Sequence, residues 1–507
     1  MSVVIPIRGS LSAALPASSC SVHSIPRRPL KSLLNPVRSL VEAVGQLLVR
    51  VGLIDADRAR RVSDLAWPRI VTGLARMSKA TADVAMVGTA LGASAIAGVG
   101  YGVPFWTMTF MLGGGIAGGT ISLVSQRYGA DRHRAIGTAV VVSAVVAVAV
   151  MIPLVVLFWT IPEQLIRLIG TGEAAIAYGA RYLQIVSLAM PFAALNLVGS
   201  RALVGANDAW TPMVVRAGGA VANIGLNAVL IFVFDLGVVG AAIGTVAGNA
   251  AGTAAFAWAL AKGRLPFVGD LPIRIRASAL QWDTGTARHL ARISAPLALR
   301  NVAQNGGQFP LLAIVGLFGP NVVAAFVIAL RVRALMNTPG WGFGLASSSL
   351  VGQSLGTGAE HEAGAYARDT LRFTVAVYTF AAVLVFLLAT PVSHLFVNDP
   401  SIVPTTAALI RATCVSVILW GWMNGSMGPL RASGDTAWPF YAQVVGLGAF
   451  ALPAAYAGAA TSLGLWGLYA ALVLETGVPA SVIYYRYRTE KWKLISRTHR
   501  AAAVGNA

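Results

Sequence analysis

Charge is what this chain has least of. Only 11% of its 507 residues are Asp, Glu, Lys or Arg, and 19 of those are acids. A water-soluble domain carries about 25%, so a soluble globular protein is excluded. Cysteine is nearly missing: Cys20 and Cys414 lie far apart and match no disulfide framework or metal-ligand spacing. Histidine occurs six times, and never as His-Glu-x-x-His. No phosphate-binding loop with its Lys occurs, and no apolar stretch holds paired carboxylates. The chain is therefore expected to be no enzyme and to need no organic cofactor.

What it has instead is apolar length. Hydrophobic residues make up 56%, and the mean hydropathy is +0.71. Runs able to cross a hydrocarbon core of about 30 Å as helices recur twelve times. They lie at approximately 65–90, 96–125, 135–160, 176–203, 210–234, 238–261, 293–318, 322–350, 366–391, 402–429, 437–459 and 464–486. This is an all-α polytopic membrane protein with the lipid bilayer around it. Its 54 glycines and 24 prolines suit helices that pack closely and bend.

The net charge of +19 does not mark a nucleic-acid binder. Lys, Arg and His collect in alternate loops, at 126–134, 262–292 and 352–368 and in the tail from Arg486 to Arg500. The loops near 91–95, 235–238, 319–322 and 460–463 hold almost none, and the loop at 161–175 sets Arg167 against Glu163 and Glu173. By the positive-inside rule both termini are cytoplasmic, and the protein spans the cell membrane many times. Residues 1–30 are rich in Ser, Pro and Arg and free of acids; they read as a basic cytoplasmic tail, with an organellar transit peptide as the alternative. Residues 31–62 have helical periodicity, with Leu33, Val37, Leu40, Val44 and Leu47 on one side and arginines suited to an anionic membrane face.

The chain repeats itself. Ser-Gln126-Arg-Tyr-Gly129 resembles Gly-Gln353-Ser-Leu-Gly356, and 353 − 126 = 227. Asp208 before Pro212 has its echo at Asp435 before Pro439, and Leu-Gly237-Val-Val-Gly240 at Leu-Gly464-Leu-Trp-Gly467, both again at 227. The domain plan is a tail at 1–64, a six-helix lobe at 65–261, a basic connector at 262–292, a second lobe at 293–486 and a tail at 487–507. Six is even, so the lobes are parallel repeats related by a pseudo-two-fold axis along the membrane normal, and a substrate cleft belongs between them.

One carboxylate stands out in this frame. Asp83 sits roughly 27 Å along a helix begun at Leu65. A carboxylate there costs about 2.5–3.5 kcal/mol on insertion scales, so it needs a polar cavity or a partner. Lys79 is one turn earlier and can pair with it; the alternatives are a functional site and a structural ion pair. In the second half Glu475 is the one clear intramembrane carboxylate, either a second site or the partner of a buried Arg. Arg300, Arg331 and Arg333 read as snorkelling or carboxylate-pairing groups, or as a cationic wall for an anionic or zwitterionic substrate. Gln304 and Asn305 are cavity candidates; Asn196 and Asn424, at equivalent depths, face the cavity or link helices. Gly113-Gly-Gly-Ile-Ala-Gly-Gly119 lies inside a span and reads as a helix-packing surface.

These motifs resemble the multidrug and toxic compound extrusion (MATE) transporters over nearly all of 65–490. The resemblance rests on Trp67-Pro68, Asp83-x4-Gly88, Gln126-x2-Gly129-Ala130, Gly-x2-Asp208-x3-Pro212, Asn223-x3-Asn227, Gln353 and Arg431-x2-Gly-Asp435. It implies two lobes around a V-shaped cleft, and antiport: export of an organic, often cationic, small-molecule substrate against protons or sodium ions, by a protein expected to be a monomer. The family's cation site looks like Asp83, Asn223 and Thr245. The family often has a second Asp where this chain has Asn227, a departure that resembles the DinF-type branch; the segment from Glu475 to the C-terminal Lys and Trp residues looks like archaeal members. One carboxylate among the amide and hydroxyl oxygens of Asn223, Asn227 and Thr245 suits a proton or a sodium ion, with the lean to protons. The alternative reading is a flippase of lipid-linked oligosaccharides, favoured by the arginines and disfavoured by the Asn223 pattern.

Overall fold

The computed structural model describes residues 36–170, 172–276, 278, 281–396 and 402–504. The expectations for residues 1–35, Cys20 among them, lie outside that set. The described chain is almost entirely helix. The first half holds α1 (Pro36–Arg50), α2 (Ala56–Leu91), α3 (Ala93–Gly129), α4 (His133–Thr160), α5 (Pro162–Arg167), α6 (Glu173–Ser187), α7 (Met190–Gly205), α8 (Trp210–Ala228) and α9 (Gly237–Lys262). A hairpin of β1 (Arg264–Leu265) and β2 (Gly269–Asp270) follows. The second half holds α10 (Thr284–Gly306), α11 (Gln308–Gly316), α12 (Pro320–Thr357), α13 (Glu360–Leu387), α14 (Ala389–His394), α15 (Val403–Ser433), α16 (Ala437–Val445), α17 (Leu452–Ala460), α18 (Leu465–Arg488) and α19 (Lys491–Val504).

Twelve helical passages result, six per half, once α6 is joined to α7, α10 to α11 and α16 to α17. Among the described residues nine helices are apolar and long enough to cross a bilayer, and the α6–α7 pair, bent by 49°, makes a tenth. The other two passages are α2 and α10–α11, the first of each half. They are too polar to pass that test, and they bring the charged and amide side chains of the next section. Two passages, the fifth of each half, also contain a π-helical turn, at Val229–Val233 and Gly446–Ala451, although the two turns are out of the repeat register (446 − 229 = 217).

The structure moves several boundaries. The first passage starts at Ala56, nine residues before the expected 65, because its polar N-terminal turns are held by protein. Asp55 caps the helix by accepting the Arg58 N–H at 3.0 Å, and Arg58 Nε reaches Asp369 of α13 at 2.5 Å. A hydropathy window sees only the charges. From residue 36 on, the periodic stretch is divided between two helices: α1 ends at Arg50, and Gly52 (φ 74°) turns the chain before α2. The connector is also shorter than 262–292. Gly263 ends α9 in the left-handed region (φ 70°), and Asp283 starts α10 by accepting the N–H groups of Gly285 at 3.1 Å and Thr286 at 2.9 Å. The C-terminal tail likewise carries a helix, α19.

Bonds from the Thr286 hydroxyl and N–H hold the Asp283 carboxyl below its usual range. A lowered folded value contributes stability above the unfolded value of about 3.9, lost as pH falls through the folded one. Asp283→Ala should therefore lower stability by about 1 kcal/mol. The gap should hold near neutral pH and close below about pH 4, as read by thermal melts of both proteins across pH.

The halves are not cleanly separate. Val62, Leu65, Ala66, Trp67 and Ile70 of α2 lie in the apolar core of the second half. Leu290, Ile293 and Leu297 of α10 lie in that of the first. Farther along α2, Val87 packs with Val99, Ile231, Val238 and Ala241 of its own half. Each opening helix thus straddles the interface. The glycine-rich run makes this possible: side chains at Gly115, Gly118 and Gly119 of α3 would collide with Ala298, Leu297 and Ser294 of α10.

At the end bearing the basic loops the halves lock through the repeated motif. Gln126 Nε2 donates to the Ala432 carbonyl at 2.5 Å, and Gln353 Nε2 donates to the Gly205 carbonyl at 3.1 Å. Both donors and both acceptors are 227 apart (353 − 126; 432 − 205). A Cβ on Gly129 would overlap the Gln353 carbonyl oxygen, and one on Gly356 would overlap that of Gln126. The two backbones meet so closely that only glycine fits.

Candidate functional site

Asp83 faces protein, not lipid. Its Oδ2 accepts a bond from Lys79 Nζ at 2.6 Å and its Oδ1 one from Asn227 Nδ2 at 2.8 Å. Asn227 Nδ2 also lies 3.2 Å from Asn223 Oδ1, and Asn223 Nδ2 donates to the Gly244 carbonyl of α9 at 2.6 Å. A carboxylate and two amides thus form one chain across α2, α8 and α9. Farther along, Asn196 Nδ2 donates to the Asn249 carbonyl at 3.0 Å, and the Thr253 hydroxyl donates to Asn196 Oδ1 at 3.2 Å.

Amides this bulky fit between helices because α9 offers a groove of glycines. A Cβ at Gly244 would overlap Asn227 Oδ1; one at Gly248 would meet Asn223 Nδ2 at 2.9 Å, and one at Gly252 would meet the Asn196 amide at 3.2 Å. The three glycines are four residues apart and share a helix face. Each receives one asparagine. Small residues that let polar groups approach are the usual means of joining helices in lipid.

Asn227 Oδ1 is buried and has no partner. An orphaned buried acceptor costs about 1–3 kcal/mol. The amide is turned so that its NH2 faces two oxygens, the arrangement an ionised Asp83 demands. Of the expected cation-site residues, the structure joins Asp83, Asn223 and Asn227. Thr245 is buried nearby, but its hydroxyl bonds the Ala241 carbonyl of its own helix. Asn249, absent from the expected set, bonds the Thr245 carbonyl at 2.8 Å; its position one turn after Thr245 was the available signal. Among the described residues no cluster of three or more His, Cys, Asp or Glu could hold a metal ion. A sodium site here would be made of one carboxylate and neutral oxygens.

A MatE family model matches residues 68–229 and again 296–457, one match in each half. The chain belongs to the MATE family. MATE proteins are membrane transporters and not enzymes, and this one shares that character. It is 25% identical over 407 residues to the probable multidrug resistance protein YoeA of Bacillus subtilis, covering 79% of this chain and 87% of that one. It is 27% identical over 460 residues to a probable multidrug resistance protein NorM of Bradyrhizobium diazoefficiens, covering 87% and 95%. A solved outward-facing conformation of a multidrug resistance MATE family transporter superposes with a TM-score of 0.78 at 21% identity, covering 86% and 96%. That likeness establishes the shared fold.

The second half of this MATE protein builds different polar groups. Glu475 of α18 pairs with Arg333 of α12 at 2.8 Å, with side-chain exposures of 5% and 3%. The Arg333 guanidinium also lies 5.0 Å from the centre of the Trp420 ring. Glu475 is thereby occupied within the helix bundle. Asn424 Nδ2 donates to the Tyr378 hydroxyl at 3.3 Å, which donates to Asn337 Oδ1 at 2.6 Å. Asn305 is exposed and bonds the Asn301 carbonyl of its own helix; Gln304 is half-buried and Arg331 is exposed. Removing one partner from a buried pair leaves an uncompensated charge, which costs about 3–5 kcal/mol. Glu475→Gln should therefore melt well below the parent. Adding Arg333→Met should recover most of the loss; if it recovers none, the pair is not what Glu475 stabilises.

Proposed function

We propose that this MATE protein is a secondary antiporter of the cell membrane, exporting organic compounds in exchange for an ion bound at Asp83, with a proton favoured over sodium. The observation that carries the reading is the asymmetry of the site. One carboxylate, balanced by one ammonium, meets an amide chain whose first member carries an unpartnered oxygen. The paired Asp83 and Lys79 are neutral as a unit. A proton or sodium ion arriving at the carboxylate leaves one positive charge unbalanced at membrane depth, which is unfavourable enough to drive repacking. Turning the Asn227 amide then presents Oδ1 to the arriving proton or ion and ends that atom's isolation. Lys79 is released.

The change is felt across the lobes because α2 belongs to both. A shift near Asp83 bears on a helix whose other half is packed in the second lobe. The bound ion can drive transport only by preferring one of the two conformations. In this structure the basic end is locked at Gln126 and Gln353; that lock must part for the cleft to face the other way. The basic loops and termini are cytoplasmic on this reading, the functional unit is a monomer, and the exported compounds belong to the class named for its multidrug-resistance relatives.

Exchanging gradients tests the reading. Full-length protein in proteoliposomes should move organic dyes when a proton gradient is imposed, and a sodium gradient alone should not. Drive by sodium alone would reverse the choice of ion. No transport under either gradient, with any dye of either charge, would remove the antiport reading.

A further inference from the structure

Six arginines lie inside the helical passages with no carboxylate beside them. Arg69 and Arg76 are on α2, Arg201 on α7, Arg216 on α8, Arg300 on α10 and Arg431 on α15. They form one electrostatically connected series. Arg69 is repelled by Arg76, Arg201 and Arg216, Arg201 by Arg216 and Arg431, and Arg300 by Arg431. The series crosses from the first half to the second, where the Arg431 side chain lies against Gly118 of α3. Among the described residues none of the six takes part in an ion pair, whereas the partly exposed Lys79 pairs with Asp83 and the buried Arg333 with Glu475.

Their present contacts are poor ones for guanidinium. Arg300 is 8% exposed, its Nε has no partner, and one of its terminal nitrogens faces only the Met423 sulfur at 3.7 Å. Arg69 Nε is also buried and unpartnered. Arg201, 9% exposed, reaches only the neighbouring Ser200 hydroxyl at 3.4 Å. Arg76 and Arg69 stand over the Trp341 ring, at 5.3 and 5.7 Å. Like charges gathered at membrane depth, with free N–H groups and no counter-charge, are strongly unfavourable unless something negative joins them. Guanidinium is also the group whose paired N–H donors match phosphate and carboxylate oxygens.

We propose that the cleft between the lobes binds a substrate through an anionic head group, a phosphate or carboxylate held by arginines of both halves. This rests on the transport reading above and names its substrate class: organic anions and anionic amphiphiles, not the cations usual for the family. Aromatic rings beside the arginines supply an apolar wall for the rest of the molecule. Asp83 stands seven residues beyond Arg76, roughly 10 Å farther along α2. Asp83, whose bonded partners all lie in the first half, and the arginines of α2 thus sit at different places along that helix, and an arriving cation need not displace the substrate by contact.

Equilibrium dialysis of full-length protein in uncharged detergent tests this with two probes of equal shape and opposite charge. Phenyl phosphate should bind at least tenfold tighter than phenyltrimethylammonium, and salt should weaken the preference. Arg201→Gln with Arg300→Gln should weaken phenyl phosphate binding at least tenfold, and Arg201→Lys with Arg300→Lys should keep the preference for the anion. Arg167→Gln, an exposed loop arginine, should change nothing. Should the double Gln variant fail to fold, Arg76→Gln, at an exposed position, must still weaken binding several-fold. Dodecyl phosphate and inorganic phosphate, used as competitors, separate a lipid-like ligand from a free ion, and competition by either supports an anion site. Equal or tighter binding of the ammonium probe overturns the proposal, as does full phenyl phosphate affinity in the Gln variants. No gradient is used, and the assay can be repeated on Asp83→Asn. Failure of ion coupling would then leave the anion preference intact, and failure of the anion site would leave coupling untouched.

Discussion

Asp83→Asn should abolish gradient-driven transport while leaving a folded protein. Asparagine keeps the shape of aspartate, and its oxygen can still accept from Asn227, so the amide chain through Asn223 to Gly244 persists. What disappears is the one group of the chain that can take up a proton or balance a sodium ion. Lys79 loses its partner, but it is partly exposed (22%). The unbalanced charge is the one that protonation of Asp83 also leaves, so it should weigh on the balance between the two conformations, while the ammonium's access to water keeps the protein folded. In proteoliposomes with the favoured gradient imposed, the rate should fall at least tenfold, to that of protein-free vesicles. Downhill exchange of substrate for substrate, which needs no coupling ion, should survive. That pattern separates lost coupling from lost folding. Transport by the variant at the parent rate would sink the proposed role of Asp83. Loss of both driven transport and exchange, with an intact melting transition, would place Asp83 in substrate binding instead.

The two predicted sites differ in how readable they were. Asp83 and Glu475 are legible because a carboxylate in an apolar helix has no local excuse and the bilayer penalty marks it, whereas Asn223 and Asn227 are legible through the resemblance to the family's motif. The 227-residue shift is legible because Gln126 and Gln353, like Gly129 and Gly356, do the same job in each half. Two things escaped. The cradle of Gly244, Gly248 and Gly252 escaped because glycine is abundant here, and nothing local says which glycine faces an asparagine. The arginine series escaped because its members come from five helices: Arg300 was read by itself and Arg431 as part of a motif, and the proximity of Arg69, Arg201, Arg216 and Arg431 is a property of packing. The early start of α2 was hidden for a third reason. Arg58 is polar to a hydropathy scale, yet in the fold it is tied to Asp369, so the helix continues where the scale stops. Single residues out of place can be read from a sequence; residues made significant by neighbours on other helices cannot.

Placing a side chain in the glycine lock should open the basic end. Gly129 and Gly356 each lie against the carbonyl of the opposing glutamine, and a Cβ at either would approach it far closer than the 3.0 Å that real contacts respect. The neighbour is backbone, so it cannot swing aside; the helices must separate. Forced overpacking costs about 1–3 kcal/mol, and a bias of that size moves a two-state equilibrium roughly 5- to 150-fold. The cost falls only on the conformation in which α3 and α12 touch, so the population should shift toward the one in which they part. Gly129→Ala with Gly356→Ala should lengthen the distance between spin labels at Arg132 and His361, both exposed at this end, and should slow turnover, because returning to the locked state becomes uphill. Gln126→Ala with Gln353→Ala should act in the same direction more weakly, since it removes two cross-lobe hydrogen bonds but adds no collision. Gly218→Ala is the control: a Cβ there meets nothing within 4 Å. If the label distances of the double Ala variant match those of the parent, the contact does not hold the lobes together, and the basic end is closed by other means.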